Sequence, residues 1–413
     1  MNYKGLSWKG FLTMIAATGV IALAPLSRAD AHGYLQTNLV SDLGTLGAQT
    51  VDPKLKNPWG IARGPSGNPW WVSDERSGVA TLYNANGRPA NPLNPGANGL
   101  VVTIPPSVPP PAVGTPTGVV FNGSTNDFRV APPGVAQTFF LFVSLDGSIS
   151  GWDPAANPTT AITEVSTKSV FTGATIAQIG NERFLYVADL KDAKIKVYDS
   201  NFKEVEIGER HLGERHLGER HFEYDMGFDD DNEGAFEDQE LPRGFAPFNI
   251  QNIGGDLYVA YAKQDQTKTF VTSGTGLGFV DVFSPRGRLL MRLEHGNWFN
   301  APWGLALAPS DFGSFSHKLL VGQFGSGEIL VFNPVTGRFK GKLNDQNNNV
   351  IQIPGLWAIS FGSGTINGTE APTPAPSGPA NTLFFTAGVN DEAGGLFGTL
   401  TPLPEDLIQG NGQ

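Results

Sequence analysis

Acidic, amide and basic side chains recur in this sequence where short apolar runs begin or end. Asp74 directly follows the run 70–73, and Asp189 follows the run 184–188. Carboxylate and amide oxygens that converge on one point could bind a hard divalent cation such as Ca²⁺. Asp and Asn also accept backbone hydrogen bonds in tight turns, which is a purely structural role. The sequence leaves both interpretations open. The residues predicted to bind a ligand are Asn57, Asp74, Arg76, Asp189, Asn249, Lys263, Asn300, Gln323, Asn390 and Asp391.

Several classes of chemistry are excluded or disfavoured by composition and by missing motifs. The chain has no cysteine, so it has neither a thiol nucleophile nor a disulfide framework. It lacks the Gly-x-Ser-x-Gly, His-Glu-x-x-His, P-loop and dinucleotide-binding patterns. The formal net charge of -11 argues against a nucleic-acid partner, because nucleic-acid binding requires basic patches.

The histidines offer little metal chemistry. His211, His216 and His221 lie in three tandem Gly-Glu-Arg-His copies. Their spacing separates them by about 140° on a helix and places them on alternating faces of a strand. Neither geometry gathers them as ligands. We interpret the tandem as a duplication within a surface loop, with weak metal capture by that loop as the alternative.

The polar positions belong to a long repeat. An anchor residue that follows an aromatic residue or Thr recurs at intervals of about 55 residues. The interval between the third and fourth anchors is longer and contains the Gly-Glu-Arg-His tandem and an acidic run. We therefore predict an inserted, solvent-exposed loop at 208–240. The six anchors are Gly60, Gly118, Gly173, Asn249, Gly304 and Ala358.

The repeat predicts an all-β fold, a six-bladed β-propeller over residues 32–413. Most repeats hold about four short strands separated by turns rich in Gly, Pro, Asn and Ser, which is the pattern of propeller blades. The sixth repeat supplies three strands, whereas the segment 34–40 has strand character but no local partner. We predict that this N-terminal strand completes the last blade, because closure removes an open sheet edge.

A propeller gathers two sets of loops on one face around its central channel. These are the loops that lead into the innermost strands and those that join the second and third strands of each blade. All ten candidates fall in or next to such loops, so we expect them near one mouth of the channel. Trp59, Trp303 and Trp357 share one register of the repeat. They are predicted to pack between adjacent blades, with a sugar-stacking platform as the alternative.

Residues 1–31 are predicted to be a signal peptide. Lys4 and Lys9 precede an apolar stretch, and Ala29-Asp30-Ala31 has the small-x-small pattern of a cleavage site. The stretch is interrupted by Thr, Gly and Pro and is short for a membrane-spanning helix. We expect a monomer exported to the periplasm or the extracellular space, with no membrane insertion after cleavage.

Several segments resemble a known group of proteins. They are NPWGIA, APWGLA, LYVAD with KIKVYD, and RGFAPFNIQNIGGDLYVAYAKQD. They resemble an uncharacterised family of exported bacterial proteins, which is itself similar to NHL-type and gluconolactonase-like six-bladed propellers. The resemblance covers nearly all of the chain after residue 31 and implies the propeller fold. The Gly-Glu-Arg-His tandem departs from that pattern, so it is not used to infer function.

The predicted function is binding, without catalysis, of a protein, peptide or glycan on the loop-rich face. The alternative, implied by the lactonase-like resemblance, is a metal-dependent hydrolase in which Ca²⁺ over the channel polarises the substrate carbonyl. The fold by itself does not choose between them, because propellers host many unrelated activities.

Overall fold

The chain folds into six small β-sheets that follow one another in sequence. The computed structural model describes residues 33–65, 68–108, 112–130, 137–154, 161–166, 168–207, 234–364 and 376–409. Each sheet has three to five strands, and neighbouring strands are antiparallel except for one short parallel pair at the outer edge of the last sheet. We call each sheet a blade and number the blades in chain order.

The first half of the described chain supplies three blades and the strands that complete the last one. The strands of the last blade found here are β1 (Tyr34–Ser41) and β2 (Thr50–Val51). Blade 1 contains β3 (Pro58–Ala62), β4 (Trp70–Asp74), β5 (Val79–Tyr83) and β6 (Val101–Thr103). Blade 2 contains β7 (Pro116–Phe121), β8 (Phe140–Ser144), β9 (Ser148–Trp152) and β10 (Ala161–Val165). Blade 3 contains β11 (Phe171–Ile179), β12 (Glu182–Asp189) and β13 (Lys194–Tyr198).

The second half supplies the remaining blades and a short C-terminal helix. Blade 4 contains β14 (Phe245–Ile253), β15 (Asp256–Gln264), β16 (Val271–Thr272), β17 (Gly278–Phe283) and β18 (Leu289–Arg292). Blade 5 contains β19 (Pro302–Leu307), β20 (Leu319–Gln323), β21 (Ile329–Phe332) and β22 (Phe339–Lys342). Blade 6 contains β23 (Leu356–Phe361), β24 (Leu383–Ala387) and β25 (Leu396–Pro402), and the helix is α1 (Pro404–Gln409).

The predicted closure by the N-terminal strand is confirmed. β1 pairs antiparallel with β25, from Tyr34 opposite Pro402 to Ser41 opposite Leu396. The Tyr34 hydroxyl donates a hydrogen bond of 2.9 Å to the carbonyl oxygen of Phe312, and the two rings stack with centroids 4.6 Å apart. The first and last strands of the described chain therefore share one blade and also contact blade 5.

The core consists of layers between neighbouring blades. Buried apolar clusters join blades 1 and 2, 2 and 3, 3 and 4, 4 and 5, 5 and 6, and 6 and 1. Each central strand is therefore covered on both faces, which explains why β4, β8, β20 and β24 are buried at every residue. The outer strands β18 and β22 are partly exposed. Six interfaces that close on themselves make this a six-bladed propeller, as predicted.

The structure describes only one end of the predicted insertion. Residues 208–233, which include the Gly-Glu-Arg-His tandem, lie outside the described residues. In the described end, Gly234, Glu237, Gln239 and Glu240 are exposed, whereas Phe236 and Asp238 are half-buried beside blades 3 and 4. The ring of Phe236 contacts the rings of Tyr186 and Phe283, and Asp238 forms an ion pair with Arg292. An aromatic residue and a charge partner hold this end of the segment against the blades.

The predicted signal peptide, residues 1–31, also lies outside the described residues. Within the described ranges, no helix is long and apolar enough to cross a membrane.

Candidate functional site

The central channel is surrounded by the six innermost strands. These are β3, β7, β11, β14, β19 and β23, and each contacts the innermost strand of the next blade, so that they form a ring. Each is also the end strand of its sheet, so its second edge has no partner strand and faces the axis. Backbone groups on this edge are therefore not used in strand pairing, and some of them, such as the Thr172 and Phe361 carbonyl oxygens, are bonded by side chains instead.

A β-bulge interrupts every innermost strand beside its anchor residue. The pairing register shifts at Pro58/Ile61, Pro116/Val119, Phe171/Gly173, Pro247/Asn249, Pro302/Gly304 and Leu356/Ile359. A bulge bends a strand and changes the direction of the side chain it contains. The recurrent small anchor has a steric reason as well. A Cβ atom on Gly60 or Gly304 would lie 2.6 Å from the carbonyl oxygen of Thr117 or Trp357, respectively, on the next strand.

Aromatic residues at the bulges close one end of the channel. Trp59 and Trp357 stack with ring centroids 3.5 Å apart, and Trp59 also meets Phe248 of the opposite blade at 6.1 Å. Contact between blades 1 and 4 requires that these rings cross the axis. We call the end where the innermost strands begin the plugged end, and the set of rings the aromatic plug. The plug consists of Trp59, Phe248, Trp303, Phe324 and Trp357.

The tryptophans pack between adjacent blades, as predicted, and also meet near the axis. Trp59, Trp303 and Trp357 are 5%, 4% and 1% exposed. Trp357 of blade 6 contacts Trp59 of blade 1 and Trp303 of blade 5, and Trp59 and Trp303 also contact each other. The indole nitrogens of Trp303 and Trp357 donate to the Thr172 carbonyl oxygen and to Asn57 Oδ1, both at 3.0 Å. With so little exposed area, their faces are not available as a sugar-stacking platform.

Asn57 links blades 1 and 6 at the plugged end. Its side chain accepts the Trp357 hydrogen bond and donates to Glu75 Oε2 at 2.9 Å and to Glu392 Oε2 at 3.1 Å. Burial, and next the nearby Glu75 carboxylate, raise the pKa of Glu392. Glu392 ends a run with Asn390 and Asp391 in which all three residues have left-handed φ angles of 56°, 52° and 62°. Such angles are unfavourable for residues other than glycine.

Two of the predicted acidic ligands are buried inside their own blades. Asp74 accepts a hydrogen bond of 2.7 Å from the Thr81 hydroxyl, and burial raises its pKa well above the usual value. Asp189 accepts the backbone N–H groups of Val170 and Lys191, both at 3.1 Å, and lies 3.4 Å from Lys196 Nζ. Both side chains have no exposed surface.

Three predicted amide residues hold loops or strands together. Asn249 is buried, lines the channel and donates to the Trp303 carbonyl oxygen at 2.8 Å. Gln323 is buried and accepts the backbone N–H of Asn300 at 2.7 Å. Asn300 Oδ1 in turn accepts the backbone N–H of Gly274 at 2.6 Å. These contacts join blade 4 to blade 5.

The four remaining candidates lie at or near the surface. Lys263 donates to the Arg243 carbonyl oxygen at 2.8 Å and lies over the Phe245 ring. Arg76, Asn390 and Asp391 are exposed. The structure thus brings Asn57 close to the 390–392 turn and pairs Asn300 with Gln323, but it leaves Asp74 and Asp189 beneath the surface. Among the described residues, no group of three or more His, Cys, Asp or Glu could hold a metal ion.

The other end of the channel contains a cavity of about 440 Å³. Its walls are the later residues of the innermost strands and the residues that follow them, so we call this the cavity end. Five polar side chains there were not predicted from the sequence: Arg63, Thr175, Gln251, Asn252 and Ser360. Each lies two or three residues after an anchor. Because the innermost strands all run in the same direction, residues at these positions could have been predicted from the sequence to lie at this end of the channel.

No family model matches the chain. The curated relatives it matches are uncharacterised proteins of Acanthamoeba polyphaga mimivirus. One is 28% identical over 370 residues, covering 88% of this chain and 78% of the relative. Another is 27% identical over 369 residues, covering 88% and 84%. The sequence resemblance was to a bacterial family, and these viral relatives do not support that attribution.

Similar solved structures share little sequence with the chain. A virginiamycin B lyase from Staphylococcus aureus crystallised with quinupristin is 12% identical, with a TM-score of 0.42, over 90% of this chain and 99% of that one. A gluconolactonase from Xanthomonas campestris is 12% identical, with a TM-score of 0.38, over 83% and 99%. Similarity at this level carries no argument about function, so the site must be judged from its own residues.

Proposed function

We propose that this protein is an exported binding module and that an extended peptide enters the cavity end of its central channel. The observation that carries the proposal is the cavity of about 440 Å³. A volume of this size lies within the range typical of ligand pockets, which is about 300–1,000 Å³. Most of the residues that bound it belong to rigid innermost strands, so the site exists before the ligand arrives.

A peptide suits this cavity better than a glycan does. The second edges of the innermost strands offer backbone groups that are not used in strand pairing, and an extended peptide uses such groups for main-chain hydrogen bonds. Carbohydrates are commonly held against exposed aromatic faces, whereas the tryptophans of the aromatic plug are mutually packed and buried. No observation on the described residues favours the metal-dependent hydrolase as a second candidate.

The proposal is tested by filling the cavity. Ser360→Trp would place an indole among the cavity walls, and Ser310→Trp, at an exposed position between β19 and β20, is the matched control. The probe is an array of random heptapeptides with free C termini, and the measurement is the amount of protein that each peptide retains. We expect wild type and Ser310→Trp to bind a common subset and Ser360→Trp to lose it. Unchanged binding by Ser360→Trp, or no binding by wild type, would overturn the proposal.

Export is proposed from residues 1–31 alone. N-terminal sequencing of the protein recovered from the medium or periplasm is expected to begin at His32. Recovery of the uncleaved chain from the cytoplasm would contradict it.

A further inference from the structure

Arg63 is held in place at the cavity by two backbone carbonyl groups and an aromatic ring. Its Nε donates to the Phe361 carbonyl oxygen at 3.1 Å, its Nη2 donates to the Gly362 carbonyl oxygen at 3.3 Å, and its guanidinium carbon lies 5.8 Å from the centroid of the Trp70 ring. These contacts fix the guanidinium at the border between blades 1 and 6. A guanidinium has five N–H donors, and among the described residues only these two acceptors are used.

Four other half-buried cations of the described chain are paired with carboxylates, whereas Lys263, Arg286 and Lys318 are half-buried without such a pair among the described residues. Arg183 pairs with Asp127, Lys196 with Asp189 and Asp192, and Lys342 with Glu328. Arg292 pairs with Asp238, Asp281 and Glu240. No described carboxylate pairs with Arg63, although burial lowers its pKa. A partly desolvated cation without a counter-charge is unfavourable unless an anion joins it.

Two of the five uncharged polar side chains that line the cavity with Arg63 have no hydrogen-bond partner among the described residues. Gln251 belongs to β14 of blade 4 and Ser360 to β23 of blade 6, and both line the cavity. Neither side chain forms a hydrogen bond with any described residue, whereas the neighbouring Asn252 donates to the Ile176 carbonyl oxygen at 2.9 Å. The cavity therefore combines a cation with an amide and a hydroxyl that are free to bond a ligand.

We propose that the cavity end captures a peptide by its C-terminal carboxylate, with Arg63 as the residue that binds the carboxylate. This inference rests on the proposed function and adds the chemical group that the site recognises. A guanidinium and a carboxylate form paired, charge-assisted hydrogen bonds, which are stronger than bonds between neutral groups. Gln251 and Ser360 can bond the last peptide unit, since an amide and a hydroxyl both donate and accept.

The experiment compares two peptide arrays of identical sequence, one with free C termini and one with C-terminal amides. We expect wild type to bind the free acids about tenfold more tightly than the amides, as for the loss of one charge-assisted pair. Arg63→Gln should lose this preference. Arg338→Gln, an exposed arginine on the outer part of blade 5, makes the same change of net charge and should keep it.

Arg63→Lys serves as a second variant in case Arg63→Gln unfolds. It keeps the charge but not the planar fork, so it should retain a reduced preference for the acids. Thermal unfolding of each variant shows whether it is folded.

The outcomes separate this inference from the proposed function. Equal binding of acids and amides by wild type would overturn the carboxylate assignment while leaving the cavity as the peptide site. Retention of the preference by folded Arg63→Gln would also overturn it. Direct binding of glucuronate by wild type, together with no binding of any peptide, would overturn both and would make an acidic sugar the ligand.

Discussion

At the plugged end of the central channel polar side chains bond to the protein itself, whereas at the cavity end Arg63, Gln251 and Ser360 leave donors or acceptors unused by the described residues. Asn57 shows the first situation, since it bonds Glu75, Glu392 and Trp357 at once. Gln251 shows the second, although it is also an amide beside an innermost-strand anchor. Residue type alone therefore does not mark a ligand site; what matters is whether the fold already satisfies the group.

The largest contrast is expected between two residues of β23. Trp357→Ala removes a buried ring from the aromatic plug and should lower the free energy of unfolding by about 3–5 kcal/mol. Ser360→Ala, on the same strand but at the cavity end, should change it by less than about 0.5 kcal/mol. Chemical denaturation of both variants provides the measurement. Similar losses of unfolding free energy for the two variants would show that residues at both ends of the channel are needed for stability.

A smaller contrast is expected between the two amides. Asn57→Ala leaves the buried indole N–H of Trp357 without its acceptor, so we expect a loss of about 2–3 kcal/mol. Gln251→Ala removes no bond to a described residue, and its free energy of unfolding should stay within about 0.5 kcal/mol of wild type. The denaturation midpoints of Asn57→Ala and Gln251→Ala test this difference in stability. Destabilisation of Gln251→Ala would argue against a free amide in the cavity.

The smallest effect concerns the pH dependence of stability at the plugged end. The pKa of Glu392 is raised in the folded state, so folding favours its protonated form. Its contribution to stability is complete below the unfolded pKa and is lost as the pH rises through the higher folded pKa. Wild type should thus lose stability as the pH rises above about 4.5, the ordinary glutamate value.

Glu392→Gln should flatten this slope and raise the melting temperature near neutral pH. Glu182→Gln, at an exposed residue of blade 3, is the control that should leave the slope unchanged. Melting curves of both variants are measured from pH 4 to 8. An unaltered dependence of the melting temperature on pH in Glu392→Gln would contradict the role given to Glu392.

Much of the fold could be predicted because blades repeat along the chain. The anchors Gly60, Gly118 and Gly304 recur for a local steric reason: at these positions the innermost strand approaches its neighbour too closely for a Cβ atom. The strand at 34–40 could be assigned to the last blade because a sixth repeat lacked a strand. The inserted loop at 208–240 stays a prediction, and the contacts of Phe236 with Tyr186 and Phe283 were not foreseen, since they join residues far apart in sequence.

The site could be predicted only in part. The sequence located the turns that carry Asn57, Asp189 and Asn390, and their role in ligand binding stays a prediction. The sequence did not reveal that the Asp189 carboxylate accepts hydrogen bonds from backbone N–H groups. An aspartate that stabilises a turn and one that binds a ligand cannot be distinguished by their positions in the sequence.

The all-β class, the number of blades and the closing strand can be derived from the amino-acid sequence, because they follow from a period along the chain. Which end of the channel is filled depends instead on contacts between blades that are far apart in the chain. Trp59 and Phe248 belong to opposite blades and meet across the axis at 6.1 Å, a contact that no spacing in the sequence encodes. Only the three-dimensional arrangement of the blades leaves Arg63 beside a cavity with no described carboxylate to pair with it.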